Sequence, residues 1–165
     1  NLIPIGYKMN LSVFEKIKIH GIIFSGGNSL NKVEKKKENL LRDKFETNLF
    51  YFFDKKKIPI LMICRGMQLI SSLNDKKLFK TKNHVTKSHD IILNKNEVIN
   101  VNSYHNYLIK EIPDQFKILA QHKKDKSIEA MKHKNNKILC LMFHPERNSK
   151  DQIKVNKLFK KFFRI

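Results

Sequence analysis

Four apolar residues, Ile60-Leu61-Met62-Ile63, run without a break into Cys64-Arg65-Gly66, and a helical period restarts at Met67. A strand that is apolar at every position is buried on both faces, which requires a sheet covered by helices on either side. Ile22-Ile23-Phe24 repeats the pattern and ends in Ser25-Gly26-Gly27-Asn28; Ile138 to Phe143 repeats it again and ends in His144-Pro145-Glu146. Residues 12–20 read as a short amphipathic helix or loop. From about Lys32 to Lys56, Leu41, Phe45, Leu49 and Phe52 recur among charges at helical spacing. The middle of the chain predicts short strands at Leu78-Phe79, His89 to Leu93 and Val98 to Val101, separated by Asn-rich turns. Tyr107 to Ile112 reads as a short helix or turn ending before Pro113. Further strands are expected at Phe116 to Ala120 and Ile128 to Met131, with a hairpin turn at Lys134 to Lys137 leading into the last strand. Ser149 to Phe163 predicts an amphipathic tail helix. Strands and helices in this order specify an α/β domain with a mainly parallel sheet, and 165 residues suit one domain without repeats or linkers.

The formal net charge is +19, from 34 Lys and Arg against 15 Asp and Glu. Such a field attracts polyanions. Only Arg42, Arg65, Arg147 and Arg164 are arginines, and the lysines are spread along the whole chain. Nucleic-acid readers lean on Arg for bidentate contacts and on aromatics for stacking. A nucleic acid is therefore not expected as the main partner, although a basic nucleic-acid-binding or inactive scaffold protein stands as the reading from another class. A phosphate-bearing small substrate suits the charge equally well. No apolar stretch is long enough to span a membrane, and no secretory leader is expected. With two cysteines, Cys64 and Cys140, a reducing, cytoplasmic setting is expected. Neither cysteine has zinc-type spacing, and no metal is expected. His20, His84, His89, His122 and His133 read as surface or strand residues rather than ligands, and Cys140 as core.

Ligands of open α/β sheets bind beyond the carboxyl ends of strands, which is where the glycine pair, Cys64 and the His-Pro-Glu segment fall. A strand entering a helix through Cys-x-Gly is a nucleophile elbow in thiol form. The helix N-terminus favours thiolate over thiol, and the Arg65 amide is placed to bind a developing oxyanion. The alternative for Cys64 is a buried core thiol. His144 and Glu146 are two apart across a proline, so both side chains can face one cleft. Their alternative is a surface ion pair. Together with Cys64 they match nucleophile, base and orienter. Gly26-Gly27 alone would be a turn; beside the nucleophile strand, its exposed amide is a second oxyanion donor.

Ser25-Gly26-Gly27, Ile63-Cys64-Arg65-Gly66-Met67-Gln68 and Phe143-His144-Pro145-Glu146 resemble the class I glutamine amidotransferase superfamily. Cys-Arg-Gly-Met-Gln with Val101-Asn102-Ser103-Tyr104-His105 is most similar to its γ-glutamyl hydrolase branch. The resemblance implies a flavodoxin-like three-layer sandwich over residues 1–165; the strand and helix with which family members usually begin are expected either to be lacking from the sheet or to be missing from this sequence. It implies a Cys64-His144-Glu146 triad, an oxyanion hole from the Gly27 and Arg65 amides, and no metal or organic cofactor. It implies that Gly26, Gln68, Ser103, Tyr104 and His105 line the glutamyl pocket. Asp75 and Asp90 are candidates for the substrate's α-amino group. The implied activity is hydrolysis of a γ-glutamyl amide through a thioester. The Ser-Gly-Gly-Asn turn, Asn83-His84-Val85 and the Phe-His-Pro-Glu-Arg ending look most like members acting on γ-glutamyl-CDP-amidate in capsule phosphoramidate synthesis. The rival is a glutaminase subunit that passes ammonia to a partner synthase. The oligomeric state is left open.

Overall fold

The computed structural model describes residues 2–6, 9–85, 87–93 and 96–163. The turn expected around Asn94 lies outside the described residues. Among these residues the strands are β1 (Ile22–Phe24), β2 (Ile60–Ile63), β3 (Leu78–Lys80), β4 (Lys87–Leu93), β5 (Val98–Ser103), β6 (Tyr107–Ile109), β7 (Phe116–His122), β8 (Ile128–His133) and β9 (Ile138–Leu141). The helices are α1 (Lys37–Lys55), α2 (Arg65–Leu73) and α3 (Gln152–Phe163), with a 3₁₀ turn at Leu11–Glu15.

The main sheet has seven strands in the order β1-β2-β9-β8-β7-β4-β5. Pairing is parallel along β1-β2-β9 and antiparallel from β9 to β5. Because antiparallel steps alternate, β7 and β5 point the same way as β1, β2 and β9, and only β8 and β4 run against them. The β2 and β9 runs lie inside the sheet and are buried on both faces; β1 is an edge strand among the described residues, and its run is buried on one face only, with Ile23 exposed where the sequence pattern expects burial. Ile60 and Met62 of β2 pack with Phe50 and Phe53 of α1 and with Met67 and Ile70 of α2. Leu61 and Ile63, one residue out of phase, join the opposite layer with Val155 of α3. Strand alternation thus divides one apolar run between two cores, giving three layers.

Two local expectations change. Tyr107–Ile109 forms a strand rather than a helix or turn, pairing antiparallel with β3 in a separate two-stranded sheet. The buried face of α1 is Asn39, Glu46, Leu49, Phe50 and Phe53, whereas Leu41 is exposed. Among the described residues no helix is long and apolar enough to cross a membrane.

Candidate active site

Cys64 lies one residue beyond β2 and caps α2 with φ +48° and ψ −95°. Its N–H donates to the Leu141 carbonyl of β9 at 2.7 Å, and its own carbonyl accepts from the Gln68 N–H at 3.0 Å. The residue is therefore bonded to the neighbouring strand on one side and to the helix on the other. A positive φ on a residue with a side chain costs about 1–2 kcal/mol and places the side chain at the turn's apex. The Arg65 N–H donates to the Cys64 sulfur. That bond and the helix terminus favour thiolate, yet burial outweighs them and pushes the thiol from an ordinary value near 9 up to about 11. The sequence expectation of a thiolate is corrected to a protonated, largely covered thiol.

Three residues beyond Leu141, His144 Nδ1 lies 2.6 Å from Glu146 Oε1. A carboxylate accepts, so Nδ1 carries the proton and Nε2 is left free to take one. Burial acts to raise the Glu146 carboxyl, but the hydrogen bond from His144, a backbone N–H and the His144 and Arg147 charges hold it below its ordinary range. Glu146 is half exposed, while His144 is covered. The Gly26 Cα lies against the imidazole: a Cβ there would sit 2.5 Å from His144 Cε1. Tyr104 meets the same imidazole edge-on, with ring centroids 5.7 Å apart, and the Arg147 guanidinium stacks 4.5 Å from the centre of the Tyr104 ring.

Gly27 has φ +139°, a conformation open to glycine. The turn it belongs to is gripped by Arg42 of α1, which donates to the Ser25 and Gly26 carbonyls at 3.1 Å each and to Asn28 Oδ1 at 3.0 Å. Arg42 Nε also donates to Glu46 Oε1 at 2.7 Å, and the other Glu46 oxygen accepts from the buried Arg65 guanidinium, which reaches Asp43 as well. One ion network therefore fixes both segments expected to supply oxyanion donors. Sequence reasoning gave Arg65 only its amide; the signal for its side chain was a carboxylate pair, Asp43 and Glu46, on one face of a helix.

The other expected site residues divide between two faces. Gln68 is buried behind the elbow, its Nε2 3.4 Å from the Tyr107 carbonyl. Asn102, not singled out individually, holds the His144 loop: its Oδ1 accepts from the His144 N–H at 2.9 Å and its Nδ2 donates to the His144 carbonyl at 2.8 Å. Tyr104 faces His144 too. Ser103 and His105, at the alternate positions, turn the other way. The Ser103 hydroxyl donates to the His84 carbonyl at 2.6 Å, and His105 Nδ1 lies 3.0 Å from the Tyr107 carbonyl. Asp90 accepts from Asn100 Nδ2 at 2.9 Å on the β4–β5 pair, and Asp75 lies past the end of α2. His89 and His122 are strand residues and His20 is exposed, as expected, but His84 is buried in a turn. Cys140 is core.

A three-layer α/β domain of flavodoxin-like type thus presents a glycine turn, a thiol and a His-carboxylate pair at its strand ends. The chain belongs to the class-I glutamine amidotransferase family, whose sequence description matches residues 3–165. It is 33% identical over 147 residues to the γ-glutamyl-CDP-amidate hydrolase of Campylobacter jejuni, covering 89% of this chain and 72% of that protein. It is 32% identical over 137 residues to a glutamine-hydrolysing GMP synthase subunit of Methanocaldococcus jannaschii, covering 78% and 65% respectively. A glutamine amidotransferase structure from Thermotoga maritima shares the fold with a TM-score of 0.64 at 20% identity, over 88% of this chain and 62% of that one.

Proposed function

We propose that this chain hydrolyses a γ-glutamyl amide bond, with Cys64 as nucleophile, His144 as base and Glu146 as the residue that orients His144. The observation that carries the reading is Cys64 held at φ +48° at a strand–helix elbow, bonded to β9, whose continuation supplies the His144–Glu146 pair. A thiol pushed up to about 11 needs a base at the moment of attack, and His144 Nε2 is free for that proton. Cys64 attacks the γ-carbonyl carbon as His144 takes its proton. The Arg65 and Gly27 amides stabilise the tetrahedral oxyanion. His144 then protonates the leaving nitrogen, and water, deprotonated by His144, releases glutamate from the thioester.

The substrate we assign is γ-glutamyl-CDP-amidate or a close nucleotide-linked relative, in a cytoplasmic capsule phosphoramidate pathway. Its support is the likeness to the Campylobacter jejuni hydrolase together with Arg147 stacked on Tyr104 beside His144, a cation and an aromatic plane suited to a nucleotide. The second reading, a glutaminase that delivers ammonia to a partner synthase, is favoured by the likeness to the Methanocaldococcus jannaschii GMP synthase component. A panel of γ-glutamyl amides, including glutamine and the nucleotide amidate, separates them by glutamate release. Cleavage of the nucleotide amidate by the chain alone supports the first; glutamine preference that awaits a synthase supports the second. No glutamate release from any member, with polyanion binding that survives Cys64→Ala, would point to the scaffold reading.

A further inference from the structure

Behind the segment that carries Asn102 and Tyr104, four side chains from four separate segments point at one another. His84 comes from the turn before β4, His89 from β4, His105 from just after β5, and Glu129 from β8. His84 Nδ1 is 3.3 Å from His105 Nε2 and 3.7 Å from Glu129 Oε1. His105 Nε2 is 3.6 Å from Glu129 Oε1, and His89 Nε2 is 3.3 Å from Glu129 Oε2.

The hydrogen bonds behind these atoms fix what they present. His84 Nε2 lies 2.8 Å from the Asp125 carboxylate and His105 Nδ1 lies 3.0 Å from the Tyr107 carbonyl. Both acceptors are oxygens without a proton to give, so the imidazole nitrogens facing them carry the N–H groups. The opposite nitrogens, turned into the cluster, are then lone pairs. Glu129 is fully buried, and among the described residues neither of its oxygens has a hydrogen-bond partner; nor has His89 Nε2. His84 Nδ1 and His105 Nε2 thus present lone pairs beside the buried Glu129 carboxyl, with His89 Nε2 on its other oxygen. Buried polar groups without partners are rare and call for an ion or a ligand.

We infer that His84, His89, His105 and Glu129 form a binding site for one tetrahedral divalent transition-metal ion, with zinc the best fit. Zinc bonds of about 2.0–2.1 Å to nitrogen and carboxylate oxygen imply ligand–ligand edges of roughly 3.3–3.4 Å; the three edges among His84 Nδ1, His105 Nε2 and Glu129 Oε1 are 3.3, 3.7 and 3.6 Å, and with His89 the four ligand atoms lie within 4.8 Å of one another. Imidazole suits zinc and its first-row neighbours, whereas calcium and magnesium take all-oxygen sites. Asp125 and the Tyr107 carbonyl are the outer partners that such histidines require. Asp125 is itself held by the Ser127 N–H at 2.9 Å and lies 2.8 Å from His122 Nδ1.

Four ligands fill a tetrahedron and leave no open position, so the ion is structural. Its position explains the alternation after Val101: Asn102 and Tyr104 face the His144 loop while Ser103 and His105 face the cluster. The ion anchors the back of the segment whose front lines the catalytic face. The proposed hydrolysis routes no step through it.

The test uses the full chain without a histidine tag, stripped by a chelator and titrated with Zn²⁺ or Co²⁺. The expected result is one ion per chain, intense visible absorption from tetrahedral Co²⁺, and a higher melting temperature with metal. Glu129→Gln should weaken Zn²⁺ binding at least about 100-fold and Asp125→Asn by about 10–100-fold. Should Glu129→Gln fail to fold, His89→Gln serves in its place, with circular dichroism confirming the fold. Folded wild-type protein that takes up no stoichiometric ion would overturn the inference, as would uptake unchanged in these variants or a weak, octahedral Co²⁺ spectrum.

Discussion

Asn102 holds His144 at both ends of the histidine's own backbone, accepting from its N–H at 2.9 Å and donating to its carbonyl at 2.8 Å. The same Nδ2 reaches the Arg147 carbonyl at 3.0 Å and Ser149 Oγ at 2.9 Å. One side chain on β5 therefore sets where the imidazole can stand. Asn102→Ala leaves buried backbone groups unpaired at about 1–3 kcal/mol each and should lower stability by about 2–4 kcal/mol. The freed loop should lower kcat at least tenfold, more than it raises KM, since misplacing the base affects the chemical step. Steady-state kinetics with denaturant melts will show it; wild-type kcat in this variant would refute the positioning role.

Gly26 acts by having no side chain. A Cβ at this position would lie 2.5 Å from His144 Cε1 and 3.3 Å from Nε2. The ring, being the movable partner, has to turn away. Gly26→Ala should therefore lower kcat by about 10², the size expected when a general base is misaligned, with little change in melting temperature. Activity within a few-fold of wild type would mean that the imidazole is not the base.

The three strand ends were legible because each is an unbroken apolar run followed at once by residues that an apolar strand cannot absorb: glycine pair, Cys-Arg-Gly, His-Pro-Glu. What escaped depends on partners distant in sequence. Tyr107–Ile109 is a strand only because Leu78–Lys80 lies beside it. The inner face of α1 is rotated from the apolar stripe because Glu46 goes inside to meet Arg65, so an amphipathic reading that sends carboxylates outward misplaces it. In the four-residue cluster around Glu129 only His84 and His89 are close in sequence, and His105 and Glu129 come from distant segments. The thiolate expectation failed because a local helix terminus was weighed without the burial that the rest of the fold imposes on Cys64.

The Glu46–Arg65 pair gives a stability prediction. Arg65 is almost fully covered, and Glu46 also accepts from Arg42, which grips the Ser25–Asn28 turn. Removing one partner of a buried pair strands the other charge, at about 3–5 kcal/mol. Glu46→Ala should destabilise by that amount in denaturant melts. The double variant Glu46→Leu with Arg65→Met should lose clearly less than the sum of the single changes. Strict additivity would show that the two side chains do not act as a unit.

Backbone strain at Cys64 separates structure from chemistry. At φ +48° a side chain is unfavourable, and glycine alone is at ease. Cys64→Gly and Cys64→Ala should both abolish glutamate release. Although glycine ordinarily destabilises, here Cys64→Gly should be the more stable of the two by about 1 kcal/mol. If alanine proves more stable, the elbow is not strained in solution.

The Cys64 thiol, raised by burial to about 11, makes a prediction about reactivity with pH. With a value near 11, about 10⁻⁴ of the thiol is ionised at pH 7. Alkylation of the free protein by a small neutral reagent should therefore be slow at neutral pH and climb steadily through the alkaline range without a plateau below pH 9. A thiolate–imidazolium pair would instead give a plateau already at pH 6–7, and that outcome would sink the protonated-thiol assignment. The same shift acts on stability. The folded chain keeps the proton that the unfolded chain loses near pH 9, so stability from this group is full below that pH and fades as pH rises to about 11. Cys64→Ala removes this contribution, so the stability of the wild type relative to the variant should fall by up to about 1.4 kcal/mol per pH unit across that window.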